Sequence, residues 1–513
     1  MDWNQGYVID TPYTYGYYPE MAPARVEYAM VHAGFEPPPP GPCCELGFGH
    51  GVTLNLSAAA DPARRWWGND FNPSQARFAR SLSESSGAQA VLDDSSFAEF
   101  CARDDLPVFS MIALHGVWSW TSTENQRLIV DFVRRRLALG GVLYVSYNTR
   151  PGWAAMAPVR PLFFEYARAM SAPTDDSARR MQRAIDFVDK VLETNPLYHR
   201  VNPSTKPKIE AMRKQSASYL PHEYLNEHWS PTTFGEMVRA LDAAKLTHAG
   251  NASLLDRIDV LHLDGEQRKL LGELPDPALR ETVREFMTDT TFRRDYWVRG
   301  GQRLTPRRQR AAVLSQKFVL AAPPDKAPVD VKCGRGRWDL KPEIYRPLLA
   351  MMDGLDAPIS RAELGERVTR ELSIPAGQFN QALAVLIAIG VVQPAQTDER
   401  RRAAADACAR VNARILGDSA DDFRVTHLIS PVTGMGVPVD FVTQLLLGAR
   451  SRGLSSPELV ARAAQEALVA QNQKLRTNGQ PIEDPQASLE HMTRLARDFE
   501  GTFGRILGRL GLP

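Results

Sequence analysis

The chain has 513 residues, enough for roughly two to four domains. Its 61 Lys and Arg nearly balance its 60 Asp and Glu, so no net field draws it to nucleic acid or anionic lipid. The five cysteines, Cys43, Cys44, Cys101, Cys333 and Cys408, are too irregularly spaced for a disulfide framework or a zinc site, and a reducing, cytoplasmic setting is expected.

The chain opens with an aromatic arm, Tyr13-Thr14-Tyr15-Gly16-Tyr17-Tyr18-Pro19-Glu20, which lacks the basic and apolar regions of a signal peptide. A proline run at 37–40 ends the arm region. Strands then alternate with helices. Strands are predicted at 43–46, 65–68, 90–92, 108–114 and 142–147, with helices from near Val52, over 73–85 and over 123–139. The pair Gly140-Gly141 is expected to end the last of these helices. Such alternation predicts an α/β fold: a parallel sheet covered on both faces.

The stretch from Pro151 to Tyr224 is helix-rich and reads as an insertion after the fifth strand. A helix over 232–244 and a possible return to the sheet over 246–255 follow, then a charged helical stretch over 265–295. A strand is predicted at 316–320 and a proline-rich linker at 321–334. Beyond it, helices at 342–352, 361–372 and 378–389 precede Val391-Val392 in a winged-helix-like order. Further helices are expected at 441–449, 457–472 and 485–507. The longest apolar run, 382–392, is too short to span a bilayer, so membrane insertion is not expected. The expected divisions are 1–150, 151–225, 226–325 and 335–513.

The chemistry concentrates at Glu45-Leu46-Gly47-Phe48-Gly49-His50-Gly51, a strand running into a Gly-rich turn and a helix. Glycines there allow a sharp turn and close backbone approach to a ligand. By themselves they also suit a plain strand–helix turn or a dinucleotide fold. Asp70, about 20 residues on and after the second strand, has the spacing of a carboxylate that accepts ribose hydroxyls. After the third strand, Asp93-Asp94-Ser95-Ser96-Phe97 offers polar groups for an adenine amino group and a ring to close over the base.

Together these segments resemble the motifs of class I S-adenosylmethionine methyltransferases. The resemblance implies a Rossmann-like sheet. It implies that Glu45, Gly47, Gly49 and Gly51 flank the methionine moiety, that Asp70 takes the ribose, and that Asp94 with Ser95 sits at the adenine, with a one-residue ambiguity between Asp93 and Asp94. The fourth strand ends in Leu114-His115-Gly116-Val117-Trp118-Ser119-Trp120, without the acidic residue often found there. His115 there is either a contact for the methionine moiety or a structural histidine.

A narrower resemblance is to bacterial methyltransferases with a methyltransferase regulatory domain, which include rickettsial protein-lysine methyltransferases. It rests on 13–23, the Gly motif, 68–75, 114–120, 141–153 and 219–229. It implies a helical insertion that forms a homodimer, a middle domain, a C-terminal domain and lysine as acceptor. Tyr18, Glu20, His115, Trp118, Tyr147 and Asn148 are the candidates for lining the acceptor pocket or orienting the amine. Packing is the alternative for each ring.

No metal is expected. His222-Glu223 would need a histidine at 226 for a zincin helix, and that residue is Asn226. The segment 219–229 reads instead as a mouth to the substrate site or as plain structure. Nucleic acid is not an expected partner either: residues 341–393 carry five basic and six acidic side chains, and the clusters Arg307-Arg308 with Arg310 and Arg400-Arg401-Arg402 read as solvated faces. The alternative to a protein-lysine acceptor is N- or O-methylation of a small molecule or peptide natural product.

Overall fold

The computed structural model describes residues 3–172, 174–477, 479–499 and 501–513. Met1 and Asp2, at the start of the region expected to be the first domain, lie outside the described residues. Seven strands form the central sheet: β1 (Cys43–Leu46), β2 (Trp66–Asn69), β3 (Ala90–Asp93), β4 (Phe109–Leu114), β5 (Leu137–Asn148), β6 (Leu246–Asn251) and β7 (Phe292–Arg299). Their order is β3-β2-β1-β4-β5-β7-β6. β1 to β5 pair in parallel, while β7 runs antiparallel to β5 and β6.

The inner strands β1 and β4 are buried at every position, because helices cover both faces. Side-chain alternation sorts their residues into two cores. Cys43, Met111, Ala113 and Tyr144 pack on one face with Leu54 and Leu56 of α1 (Val52–Ala60) and Ala79 of α2 (Pro73–Ser86). Cys44, Ile112, Leu114, Leu143 and Val145 pack on the other with Ile129 and Phe132 of α3 (Thr123–Arg136).

Two segments of the central sheet differ from expectation. α3 ends at Arg136, and the chain enters β5 at once, so the glycine pair lies inside a strand. Arg136 donates to the carbonyls of Leu106 and Arg103, which fixes the helix end. Gly140 then takes φ +76° where the β4–β5 register shifts, a position for an irregular strand residue without Cβ. The second is β7, which falls partly in the stretch expected to be helical. Helices there stop at Met287. The strand was hidden because Arg293, Arg294 and Asp295 interrupt its apolar alternation. Arg293 and Asp295 are buried and paired at 2.9 Å. Asp295 also accepts from the Tyr147 hydroxyl at 2.6 Å and from His248 at 3.1 Å, and Arg293 reaches Glu281 at 2.9 Å.

Helices between Arg150 and Tyr224 enclose their own small core, with Phe163, Ile185, Val188 and Ile209 at its centre. Beyond the sheet, β8 (Lys317–Leu320) pairs antiparallel with Ile359–Ser360 and Val392–Pro394. Helices Pro342–Asp353, Arg361–Arg367 and Ala376–Ala388 complete a winged-helix-like unit. The stretch expected to be a linker contributes a strand, Asp330–Cys333, paired with Gly336–Asp339. A long helix, Asp398–Asp418, crosses α1 and α2; Arg410 donates to the carbonyl of Ser86 and Cys408 to that of Ala59. No helix among the described residues is long and apolar enough to cross a membrane.

Candidate active site

β1 delivers Glu45 to the carboxyl end of the sheet, and Gly47, Gly49 and Gly51 follow at φ +69°, +58° and +64°. These left-handed angles are cheap only for glycine. A Cβ on Gly47 would lie 2.6 Å from Val117, so the turn is also sterically closed there. Asp70, just after β2, staples the turn: its Oδ2 accepts from the Gly49 N–H at 2.8 Å and its Oδ1 from the Asn72 N–H at 3.0 Å. Two N–H donors leave further lone pairs on that carboxylate. Burial nevertheless pushes its pKa up to about 7. Glu45 is buried too, its Oε2 has no hydrogen-bond partner, and burial with the charge of Asp70 pushes its pKa well up. A buried carboxyl with an open oxygen is a receptor for a cationic donor.

The turn floors a cleft enclosing about 850 Å³, lined by Asp70, Phe71, Phe97, His115 and Trp120 among others. A second recess of about 300 Å³ holds Glu45, Tyr18 and His50. The two share Tyr13, Gly47, Gly49 and His115 in their linings, so they adjoin, and together they make the candidate site. It sits at the carboxyl ends of β1, β2 and β4, on the side of the sheet where strand order reverses.

The aromatic arm roofs this site with Asn4, Gln5, Tyr7 and Tyr13. The segment 219–229 holds the arm down. Val8 N–H donates to Asn226 Oδ1 at 2.9 Å, His222 Nε2 donates to the Thr11 carbonyl at 3.1 Å, and Glu227 N–H donates to the Gly6 carbonyl at 2.9 Å. Further along the arm, His50 donates to the Thr14 carbonyl at 3.3 Å and Tyr18 N–H to Thr53 at 2.9 Å.

The structure gathers some of the expected site residues and disperses others. His115 stacks on Tyr18 with centroids 3.5 Å apart, and burial pushes its pKa down to about 3. Glu20 stands 3.5 Å from Arg294. Asn148 is buried at the end of β5 with its Nδ2 unpartnered, but it does not line the cleft. Trp118 and Tyr147, expected at the acceptor pocket, are instead buried in the core beneath α3, where Tyr147 bonds Asp295. Asp94, expected at the adenine, faces outward to Arg80 at 3.1 Å. Ser95 is held by its neighbours: its N–H donates to Asp93 and its carbonyl accepts from Asn69. Its Oγ is buried without a partner, while Ser96 and Phe97 line the cleft. Tyr7, Asn125 and His228 line it as well; His228 lies in the 219–229 segment read as a mouth to the site, whereas Asn125 carried no sequence signal. No cluster of metal-ligating side chains occurs among the described residues.

Residues 216–299 match the family model described as "Predicted methyltransferase regulatory domain". That segment supplies the His222–Asn226 clamp together with β6 and β7. The chain is similar along its whole length to an uncharacterized protein of Synechocystis, with 34% identity over 516 residues covering 100% of both chains. Its fold matches PKMT2 from Rickettsia typhi, solved in complex with AdoHcy, at a TM-score of 0.71 and 17% identity, over 96% of this chain and 99% of that one. The chain belongs to one family with that Synechocystis protein, carries the predicted methyltransferase regulatory domain, and has the fold of PKMT2. An uncharacterized protein of Rickettsia prowazekii also resembles this chain, at 27% identity over 40% of the chain and 81% of the relative.

The residues of this site fit a ligand of the AdoHcy and S-adenosylmethionine kind, of which PKMT2 was solved with AdoHcy. The open oxygen of Glu45 suits the methionine ammonium, Asp70 suits the ribose hydroxyls, and Phe71 and Phe97 offer ring faces to the adenine.

Proposed function

We propose that this methyltransferase transfers a methyl group from S-adenosylmethionine to the side-chain amine of lysine in a protein. The observation that carries the reading is the adjacency of two cavities: the Glu45 recess and a larger aromatic cleft share His115 in their walls. The full-length likeness to PKMT2, with the motifs that resemble protein-lysine methyltransferases, supports lysine as acceptor.

Bound cofactor supplies a methyl already activated on a sulfonium, so the protein mainly aligns and desolvates. In this reading Glu45 holds the methionine end of the cofactor and Asp70 its ribose. Tyr7 and Tyr13 exclude water from above. Trp120, apart from the two rings set aside for the adenine, offers apolar surface to the aliphatic stem of the acceptor. The acceptor amine must be neutral to attack, and a water-poor aromatic cleft disfavours its charged form.

The test is incubation of the purified chain and labelled donor with a cell lysate, followed by mass spectrometry. Label on lysine residues of a protein band is expected. Label confined to the small-molecule fraction would replace lysine with a metabolite acceptor.

A further inference from the structure

His115 stands where the two cavities meet, and its ring is fixed from two sides. Tyr18 stacks on one face at 3.5 Å. Its Nδ1 lies 2.7 Å from the hydroxyl of Tyr144, a fully buried residue of β5. That nitrogen is the only hydrogen-bond partner of the Tyr144 hydroxyl among the described residues. The other ring nitrogen, Nε2, bonds to no described residue.

The direction of this bond follows from counting protons. A buried phenol carries one proton and needs one acceptor. If His115 donated from Nδ1, the phenol proton would be left in the core with nowhere to go, which is the costlier arrangement. If Tyr144 donates, Nδ1 accepts and the ring proton sits on Nε2. Burial keeps both groups in the required neutral forms: it holds the Tyr144 hydroxyl protonated and His115 uncharged.

We propose that Tyr144 is a positioning residue that locks His115 as the Nε2–H tautomer, so that the ring donates a hydrogen bond to the methionine carboxylate of the cofactor rather than accepting a proton from the methyl acceptor. The inference rests on the reading of the Glu45 recess as the methionine site. It gives the recess a complementary pair: Glu45 accepts from the ammonium and His115 donates to the carboxylate. It also removes His115 from the candidates for general base.

Two measurements test this on the full chain. In ligand-free protein with ¹⁵N-labelled histidine, long-range ¹H–¹⁵N spectra are expected to show His115 protonated at Nε2, and Tyr144→Phe is expected to release the ring into a mixture of tautomers. Wild type protonated at Nδ1 would overturn the proposal. By calorimetry, Tyr144→Phe and His115→Leu are expected to weaken AdoHcy roughly ten- to hundredfold. Both should leave the affinity for the decarboxylated analogue unchanged, and His115→Gln, which restores a donor, should recover most of the loss. Equal weakening of both ligands would overturn the carboxylate contact. Wild type that fails to bind AdoHcy at all would sink the methionine-site reading itself, while the tautomer result would stand apart from it.

Discussion

Asp70 both closes the glycine turn and offers its carboxylate to the cleft. Burial holds its pKa near 7, so in ligand-free protein much of it is protonated at neutral pH. The ionised form is the better acceptor for ribose hydroxyls. Cofactor binding is therefore expected to draw off a proton, and affinity to rise with pH up to about 7 and then level. Glu45, pushed up by burial, adds in the same direction when it meets an ammonium. Calorimetry from pH 5.5 to 8 in buffers of different ionisation heat measures both slope and proton release; a flat profile would contradict the assignment, and Asp70→Ala should abolish binding. The contribution of Asp70 to folding has the opposite sign. Its folded value lies above the ordinary 3.8, so it destabilises the ligand-free fold progressively as pH rises from about 4 to about 7.

Among the elements, β1 and β7 show what the sequence could and could not reveal. β1 is four consecutive buried residues leading into glycines, and both signals are local. β7 is equally central, but its Arg293 and Asp295 are buried only because they pair with each other and with Glu281, Tyr147 and His248, which come from other elements. The same contrast divides the site. The glycines and Asp70 are neighbours in sequence, whereas the roof depends on bonds such as Val8 to Asn226, 218 positions apart. Tyr147 was drawn toward the acceptor pocket by its place in β5, yet alternation turns it toward Asp295. Asp295 is held well below the usual carboxylate range by Arg293 and His248, which outweigh its burial, so its stabilisation is present above about pH 4 and lost as pH falls. Asp295→Leu leaves the buried Arg293 with Glu281 as its one remaining ion-pair partner and is expected to cost about 3–5 kcal/mol in urea denaturation; a loss below about 1 kcal/mol would show that the pair is replaceable.

On the scale of the whole molecule, the region after the linker reaches back to the arm. Arg424 donates to the Tyr15 hydroxyl at 3.1 Å, and Tyr15 in turn stacks on His50 at 3.7 Å. The Tyr17 hydroxyl accepts from the Gly436 N–H at 2.7 Å. Glu27 bridges Arg64, which precedes β2, and Arg400 on the long helix. The arm thus connects the C-terminal region to the candidate site, through Tyr15 onto His50 in the wall of the Glu45 recess. Arg424→Ala is expected to weaken cofactor binding about three- to tenfold by calorimetry, given the typical strength of a cation–ring contact plus one hydrogen bond. An unchanged affinity would mean that the clamp at His222 and Asn226 secures the arm alone.

Tyr7 and Tyr13 lie across the cleft like a strap fastened at both ends, by Asn226 on one side and by Thr53 and Gly436 on the other. Release of a nucleoside from beneath it is expected to require a fastening to let go, so rapid mixing is expected to show one fast methylation per chain before a slower steady rate; a linear first turnover would show that the strap does not pace the cycle.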